Sequence, residues 1–268
     1  MDKSRIEELG RQIGELFEIG RGTDAADARK NREYLAGSVW RYAVTLHSLR
    51  DAFGRTLADA TVLDLGAYPG HIAGHISKVD LAKVTALTLM TSPTFEARMR
   101  DLGVAVAVCD VERDALPSDD QSVDVVLCCE LIEHLDGDVL HMLRETRRVL
   151  RADGLLLLTT PNHASAMHRW SLARGRSVYP ALDNPDYPFY AGAGVRNPMR
   201  HVREFTVSEI VAVLSQAGFA RISATTTSPP LGCGTLLSWR GLVITRALRV
   251  FETLTKHGGP LLVAIARP

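Results

Sequence analysis

The sequence predicts an α/β domain built on a parallel sheet with helices on both faces. Three observations predict it. Short, uniformly apolar runs that read as strands recur at 61–65, 83–89, 104–109, 123–128 and 154–160. Stretches of helical pattern lie between them at 70–79, 93–102 and 138–150. The first strand-like run passes through a glycine turn straight into a helix, "VLDLGAYPGHIAGHI". Strands that are apolar on both sides must be covered on both faces, and alternating helices provide that cover.

The remaining elements follow in chain order. Residues 4–19 and 25–53 read as two helices ahead of the sheet, the second with Tyr34, Leu35, Val39, Tyr42, Leu46 and Leu49 spaced by one to two turns. They are expected to form a helical cap over 1–54, before the main domain at 55–268. Residues 161–203 are rich in Pro, Gly, Arg and aromatic residues, and too long for a passive connection. They read as a lid. A helix is expected at 206–217, with Thr206 as N-cap, Glu209 completing a capping box and Gly218 ending it. A strand at 219–226, an amphipathic helix at about 235–254 and a last strand, "LLVAIARP", complete the chain.

Length and composition narrow the function classes. The chain has 268 residues, enough for one sizeable core, and zero formal net charge. Zero net charge argues against a nucleic-acid partner or an anionic membrane surface. Cys109, Cys128, Cys129 and Cys233 show no zinc spacing and mostly sit in apolar runs. They read as reduced core thiols of a cytoplasmic protein. The N-terminus "MDKSRIEELGRQIGEL" lacks the apolar core of a signal peptide, and no uncharged apolar run is long enough to span a membrane.

The glycine turn carries the first functional signal. Its strand ends around Asp64 and Gly66, and the helix starts near Gly70. Glycine lets the backbone turn sharply and approach a ligand, and the helix N-terminus offers free N–H groups. Gly66, Gly70 and Gly74 are four apart, so the dinucleotide fingerprint is not met and NAD or FAD is disfavoured. The order Asp-x-Gly-x-x-x-Gly resembles motif I of the class I S-adenosylmethionine-dependent methyltransferases. Asp64, Gly66 and Gly70 match it, and Tyr68 stands at the usual middle-glycine position.

The resemblance extends over roughly 55–227. It implies a Rossmann-like, mostly parallel seven-stranded sheet whose last strand is antiparallel. It implies S-adenosylmethionine as cofactor, with Asp110 at the adenine amino group and Val111 beside the ring. The family usually has an acidic residue after the second strand to grip the ribose hydroxyls. Here that position is Thr88, which can make a hydrogen bond but adds no charge.

The second signal is "CCELIEHLDG". In a helical turn Glu130, Glu133 and His134 would share one face, at the carboxyl end of the sheet where ligands of open α/β folds bind. Two carboxylates and an imidazole suit a divalent cation. E-x-x-E-H followed downstream by "HVREFT" resembles the small-RNA 2′-O-methyltransferases. Its first half also resembles the ubiquinone-biosynthesis O-methyltransferases. Both resemblances imply Glu130, Glu133, His134 and His201 as ligands of Mg²⁺ or Mn²⁺. The same E-x-x-E-H occurs in class I methyltransferases that use no metal. There the first acidic residue lies near the cofactor's methionine part, and His134 or His201 would act as a base.

Between His163 and Arg203 stand six arginines against two aspartates, a net charge of +4. Arginine forks suit phosphate or carboxylate, so an anionic small-molecule acceptor is consistent with this segment. Tyr179, Tyr187, Phe189 and Tyr190 could stack on a sugar or pin the lid. The 235–254 helix is expected to dock on the domain or on a second subunit. The function these signals predict is O-methylation of a hydroxyl on a small, sugar-like or catechol-like molecule. The alternatives are an RNA 2′-O-methyltransferase and a non-catalytic cofactor-binding protein.

Overall fold

The computed structural model describes residues 3–17, 25–179, 200–230 and 250–268 apart from 253, with the side chains of the second helix described from residue 33 onward. Two helices, α1 (Lys3–Leu16) and α2 (Ala25–Phe53), precede the sheet. Then come β1 (Thr61–Leu65), α3 (His71–Val79), β2 (Lys83–Thr88), α4 (Pro93–Asp101), β3 (Ala105–Val108) and β4 (Val123–Cys129). A 3₁₀ turn at Ile132–His134 leads to α5 (Val139–Val149), β5 (Leu150–Pro161) and α6 (Ala166–Ala173). The last elements are α7 (Val207–Gln216), β6 (Arg221–Thr227) and β7 (Leu261–Arg267).

The seven strands form one sheet in the order β3-β2-β1-β4-β5-β7-β6. The strands from β3 to β5 pair in parallel, while β7 runs antiparallel to both β5 and β6. Successive residues of each strand face opposite sides, so the apolar runs feed two cores. Val62, Val84, Ala86, Val125, Leu127, Leu155 and Leu157 enter the core covered by α1–α4. Leu63, Leu65, Leu87, Val126, Cys128, Leu156 and Leu158 enter the other, with Met142 and Leu143 of α5 and Ile210 and Leu214 of α7. The N-terminal helices belong to the first core: Ile6 and Ile13 of α1 and Leu46 and Leu49 of α2 are buried in it. Each such side chain contributes roughly 1.5–3 kcal/mol on burial.

Three sequence expectations need correction. First, β5 begins at Leu150, four residues before the apolar run. Val123 pairs with Leu150 but Val125 pairs with Leu155, so "RADG" is a bulge inside the strand. Second, the expected lid contains a helix, α6, whose N-cap Ser165 accepts a hydrogen bond from the His168 N–H. Its only buried residue is Ala166, so it carries no apolar stripe to read. Third, α1 ends at Leu16, with 18–24 outside the described residues. Also outside are 180–199, which include Tyr187, Phe189, Tyr190 and Arg196, and 231–249, which hold Cys233 and most of the expected amphipathic helix. Residues 250–252 are helical.

The capping box forms as its spacing predicts. The Thr206 N–H donates to Glu209 Oε2 at 2.8 Å, and the Glu209 N–H donates to Thr206 Oγ1 at 3.3 Å. Among the described residues no helix is long and apolar enough to cross a membrane. Cys109, Cys128 and Cys129 are free thiols.

Candidate active site

The loop after β1 turns through two left-handed glycines, Gly66 at φ 67° and Gly70 at φ 89°. L-residues rarely adopt this conformation. A Cβ on Gly66 would lie 2.7 Å from the Leu131 side chain, and one on Gly70 would lie 2.6 Å from Met99. The space vacated at position 70 is therefore filled by the protein's own methionine. Backbone handedness and packing by themselves already require glycine at this position. Between them Tyr68 is largely exposed, its ring 5.6 Å from that of Phe95, and the Tyr68–Pro69 peptide is cis.

This loop forms one wall of an open cleft. Tyr34, Arg41, Tyr42 and Thr45 of α2 line it too, together with Asp64, His71, Cys129, Glu130 and Thr159. Asp64 is buried, and loss of hydration pushes its carboxyl up to about 7. Burial also raises Glu130, against the pull of Arg41 and the Thr159 hydroxyl. His71 is pushed down to about 4 by burial and the nearby Arg98 charge, and stays neutral.

Sequence reasoning missed Arg41. Its Nη1 lies 3.4 Å from Glu130 Oε2, and its Nη2 donates to Ser38 Oγ at 3.1 Å. Its Nε is buried without a partner. Tyr34, Ser38, Arg41 and Thr45 recur at one-turn spacing, so they share one face of the helix.

At the end of β2, Thr88 is buried and its hydroxyl has no hydrogen-bond partner. Unmade hydrogen bonds of this kind are costly and call for an explanation. After β3, the Asp110 carboxylate accepts the Glu112 N–H at 3.1 Å, and the Asp110 N–H donates to Asp114 Oδ2 at 2.8 Å. Val111 beside it is buried. An unpartnered hydroxyl at one strand end and the Arg41 guanidinium on the cleft wall complement a ligand with sugar hydroxyls and a carboxylate. S-adenosylmethionine has both.

The acidic and histidine residues divide differently from the sequence expectation. They do not share a face of an α-helical turn. Glu130 closes β4 in a left-handed conformation, φ 52°, and Glu133 and His134 lie in a single 3₁₀ turn. Alternation along β5 separates the two carboxylates. Thr159 Oγ1 donates to Glu130 Oε1 at 3.2 Å, and Thr160 Oγ1 donates to Glu133 Oε2 at 2.8 Å. Neighbouring threonines face opposite sides of the sheet, so Glu130 lines the cleft while Glu133 turns away. Glu133, His134 and His201 bring ligand atoms within 4.8 Å of one another, and Glu130 lies outside that group.

Each imidazole in this group is oriented by a partner. His134 Nδ1 donates to the Arg200 carbonyl at 3.0 Å, leaving Nε2 3.8 Å from Glu133 Oε1. His201 Nδ1 donates to Glu204 Oε1 at 2.9 Å. The rings meet edge to face at 4.9 Å. Both Nδ1 atoms being donors, both Nε2 atoms offer lone pairs, the usual arrangement of a metal-ligating histidine. Burial and repulsion from Glu130 push Glu133 well up, and burial lowers His134. A buried carboxyl of this kind becomes charged readily only beside a cation. The donor set fits a divalent ion. The backbone explains how His201 arrives: the N–H groups of Val202 and Arg203 donate to the Glu133 carbonyl, and Asn162 bridges to Phe205.

Several arginines expected to greet an anion are engaged within the protein. Arg169 donates to the Ala164 and Lys256 carbonyls, Arg203 pairs with Glu209 at 2.7 Å, and Arg174 stacks over Trp170.

The sheet order, the antiparallel β7 and the cleft at the β1 loop together define the class I methyltransferase fold. The methyltransferase domain family matches residues 32–224, and the chain belongs to it. It is 35% identical over 130 residues to a probable S-adenosylmethionine-dependent methyltransferase of Mycobacterium tuberculosis, a match covering 48% of this chain and 39% of that one. It thus spans about two fifths of that relative's length. Among solved structures it is similar to a SAM-dependent methyltransferase of Thermotoga maritima, with TM-score 0.56 and 18% identity over 96% of this chain and 98% of that one. A SAM-dependent methyltransferase of Archaeoglobus fulgidus gives 0.55 and 13% over 88% and 99%. These two likenesses concern the fold.

Proposed function

We propose that the chain transfers a methyl group from S-adenosylmethionine to a hydroxyl oxygen of a small molecule, with a divalent ion held by Glu133, His134 and His201. One observation carries the hydroxyl reading: the buried Glu133 carboxyl and the His134 and His201 imidazoles, each ring held through its Nδ1, bring ligand atoms together in the turn that follows Glu130 of the cleft. An alcohol needs help to lose its proton, whereas an amine acceptor does not need a metal for that purpose.

In this reading S-adenosylmethionine supplies an electrophilic methyl group, and the protein's residues position the partners. Arg41 faces the carboxylate of the methionine part, with Glu130 beside it. Thr88 offers its hydroxyl to a ribose oxygen, and Asp110 and Val111 flank the adenine. A divalent ion lowers the pKa of a hydroxyl bound to it. Glu133 balances the charge at that point. Glu204 and the Arg200 carbonyl hold the His201 and His134 rings, so little reorganisation is needed when an acceptor arrives.

The test is thermal. With S-adenosylhomocysteine present, Mn²⁺ should raise the melting temperature of the wild type and leave that of Glu133→Gln unmoved. No response in the wild type would remove the ion from the account.

A further inference from the structure

A second group of ligand atoms lies on the far side of Glu204. His163 follows β5 directly, His168 sits in α6, and Glu204 is three residues after His201. Their ligand atoms all fall within 4.8 Å of one another. Glu204 divides its carboxylate between the two groups: Oε1 accepts from His201 at 2.9 Å, and Oε2 faces His163 Nδ1 at 3.8 Å and His168 Nδ1 at 3.5 Å.

These spacings are too long for hydrogen bonds. Both His163 Nδ1 and Glu204 Oε2 are buried and have no hydrogen-bond partner. Two buried polar atoms aimed at each other across such a gap are left unexplained by the described residues. Donors bound at about 2.0–2.1 Å to a tetrahedral ion stand roughly 3.4 Å apart. The observed gaps are close to that figure. His168 Nδ1 also donates to the His163 carbonyl at 3.1 Å. An ion would take the place of that proton at Nδ1, with the ring keeping a proton at Nε2. Burial would raise Glu204, but its hydrogen bond from His201 and the surrounding imidazoles outweigh this and hold its carboxyl below its ordinary value.

We propose that His163, His168 and Glu204 bind a second divalent ion, adjacent to the Glu133–His134–His201 group and joined to it by the Glu204 carboxylate. Two imidazoles and one carboxylate favour a borderline ion, Zn²⁺ or Co²⁺, over Mg²⁺. Three protein ligands leave a coordination position open. The site stands whether or not the first group binds metal.

The experiment measures stoichiometry on the full chain, without turnover. Wild type, His163→Gln, His168→Gln and Glu133→Gln are dialysed against Zn²⁺, and bound metal is counted by elemental analysis. Co²⁺ absorption reports the coordination of each variant. His163 and His168 are partly exposed, and neither belongs to the two cores, so their variants retain the fold; melting curves check this. Both histidine variants should bind one equivalent fewer than wild type and lose one Co²⁺ band. Glu133→Gln should keep that band. If both groups bind, wild type holds two equivalents. If only the second does, wild type holds one, lost in the histidine variants and kept in Glu133→Gln, which defeats the first site and leaves this one standing. Unchanged stoichiometry in either folded histidine variant overturns the proposal.

Discussion

Two buried polar residues at strand ends behave unlike ordinary core residues. Thr88 carries an unpartnered hydroxyl. Thr88→Val keeps the shape and removes the orphan, so the free protein should lose no stability. If the hydroxyl meets a ribose oxygen, S-adenosylhomocysteine should bind more weakly by about 1 kcal/mol, roughly fivefold. Calorimetric titration checks this, and unchanged affinity would displace Thr88 from the site. Asp64 titrates at about 7 in place of 3.8 because burial penalises its charge. The folded chain keeps a proton there that the unfolded chain gives up. The associated stability is complete below about pH 4 and is lost as pH rises through about 7. Asp64→Asn has no such charge, so its melting temperature should fall less than that of wild type between those two pH values. Parallel profiles would show that Asp64 is hydrated in the folded state.

At the scale of elements, the β1 loop is a packing device before it is a ligand device. Gly70→Ala puts a methyl group against Met99 at a left-handed position. It should cost at least about 1–2 kcal/mol of stability without any cofactor. Chemical denaturation of the cofactor-free variant measures this. A loss of affinity with stability intact would return the glycine to a ligand-clearing role. The loop was legible in the sequence as a strand, two glycines and a helix, because backbone handedness leaves a local mark. What Gly70 packs against was not legible, since Met99 comes from another helix. The same holds for α6, where short length and a single buried alanine leave no periodicity. The capping box of α7 was legible because both of its partners lie within four residues.

For the whole molecule, the alternation of apolar runs and helical stretches was enough to give the sheet and its two covered faces. The antiparallel β7 came from resemblance, and the observed pairing agrees with it. The division of the acidic residues was not legible. It depends on which β5 threonine each carboxylate meets, and that follows from strand register set across the sheet. Arg41 was missed because its role appears only when α2 packs across the cleft. The assembled picture is of two adjoining compartments: a cleft between the β1 loop and α2, and a carboxylate–imidazole group beyond β4 and β5. The central claim is that the first holds S-adenosylmethionine and the second holds an ion that prepares a hydroxyl.

A crystal grown with S-adenosylhomocysteine and Mn²⁺, measured for anomalous scattering, tests that claim most directly. The account predicts the nucleoside and its methionine part in the cleft, with the carboxylate at Arg41. It also predicts an anomalous peak within about 2.3 Å of a Glu133 carboxylate oxygen and of Nε2 on His134 and His201. A filled cleft with no anomalous peak at that group would contradict it.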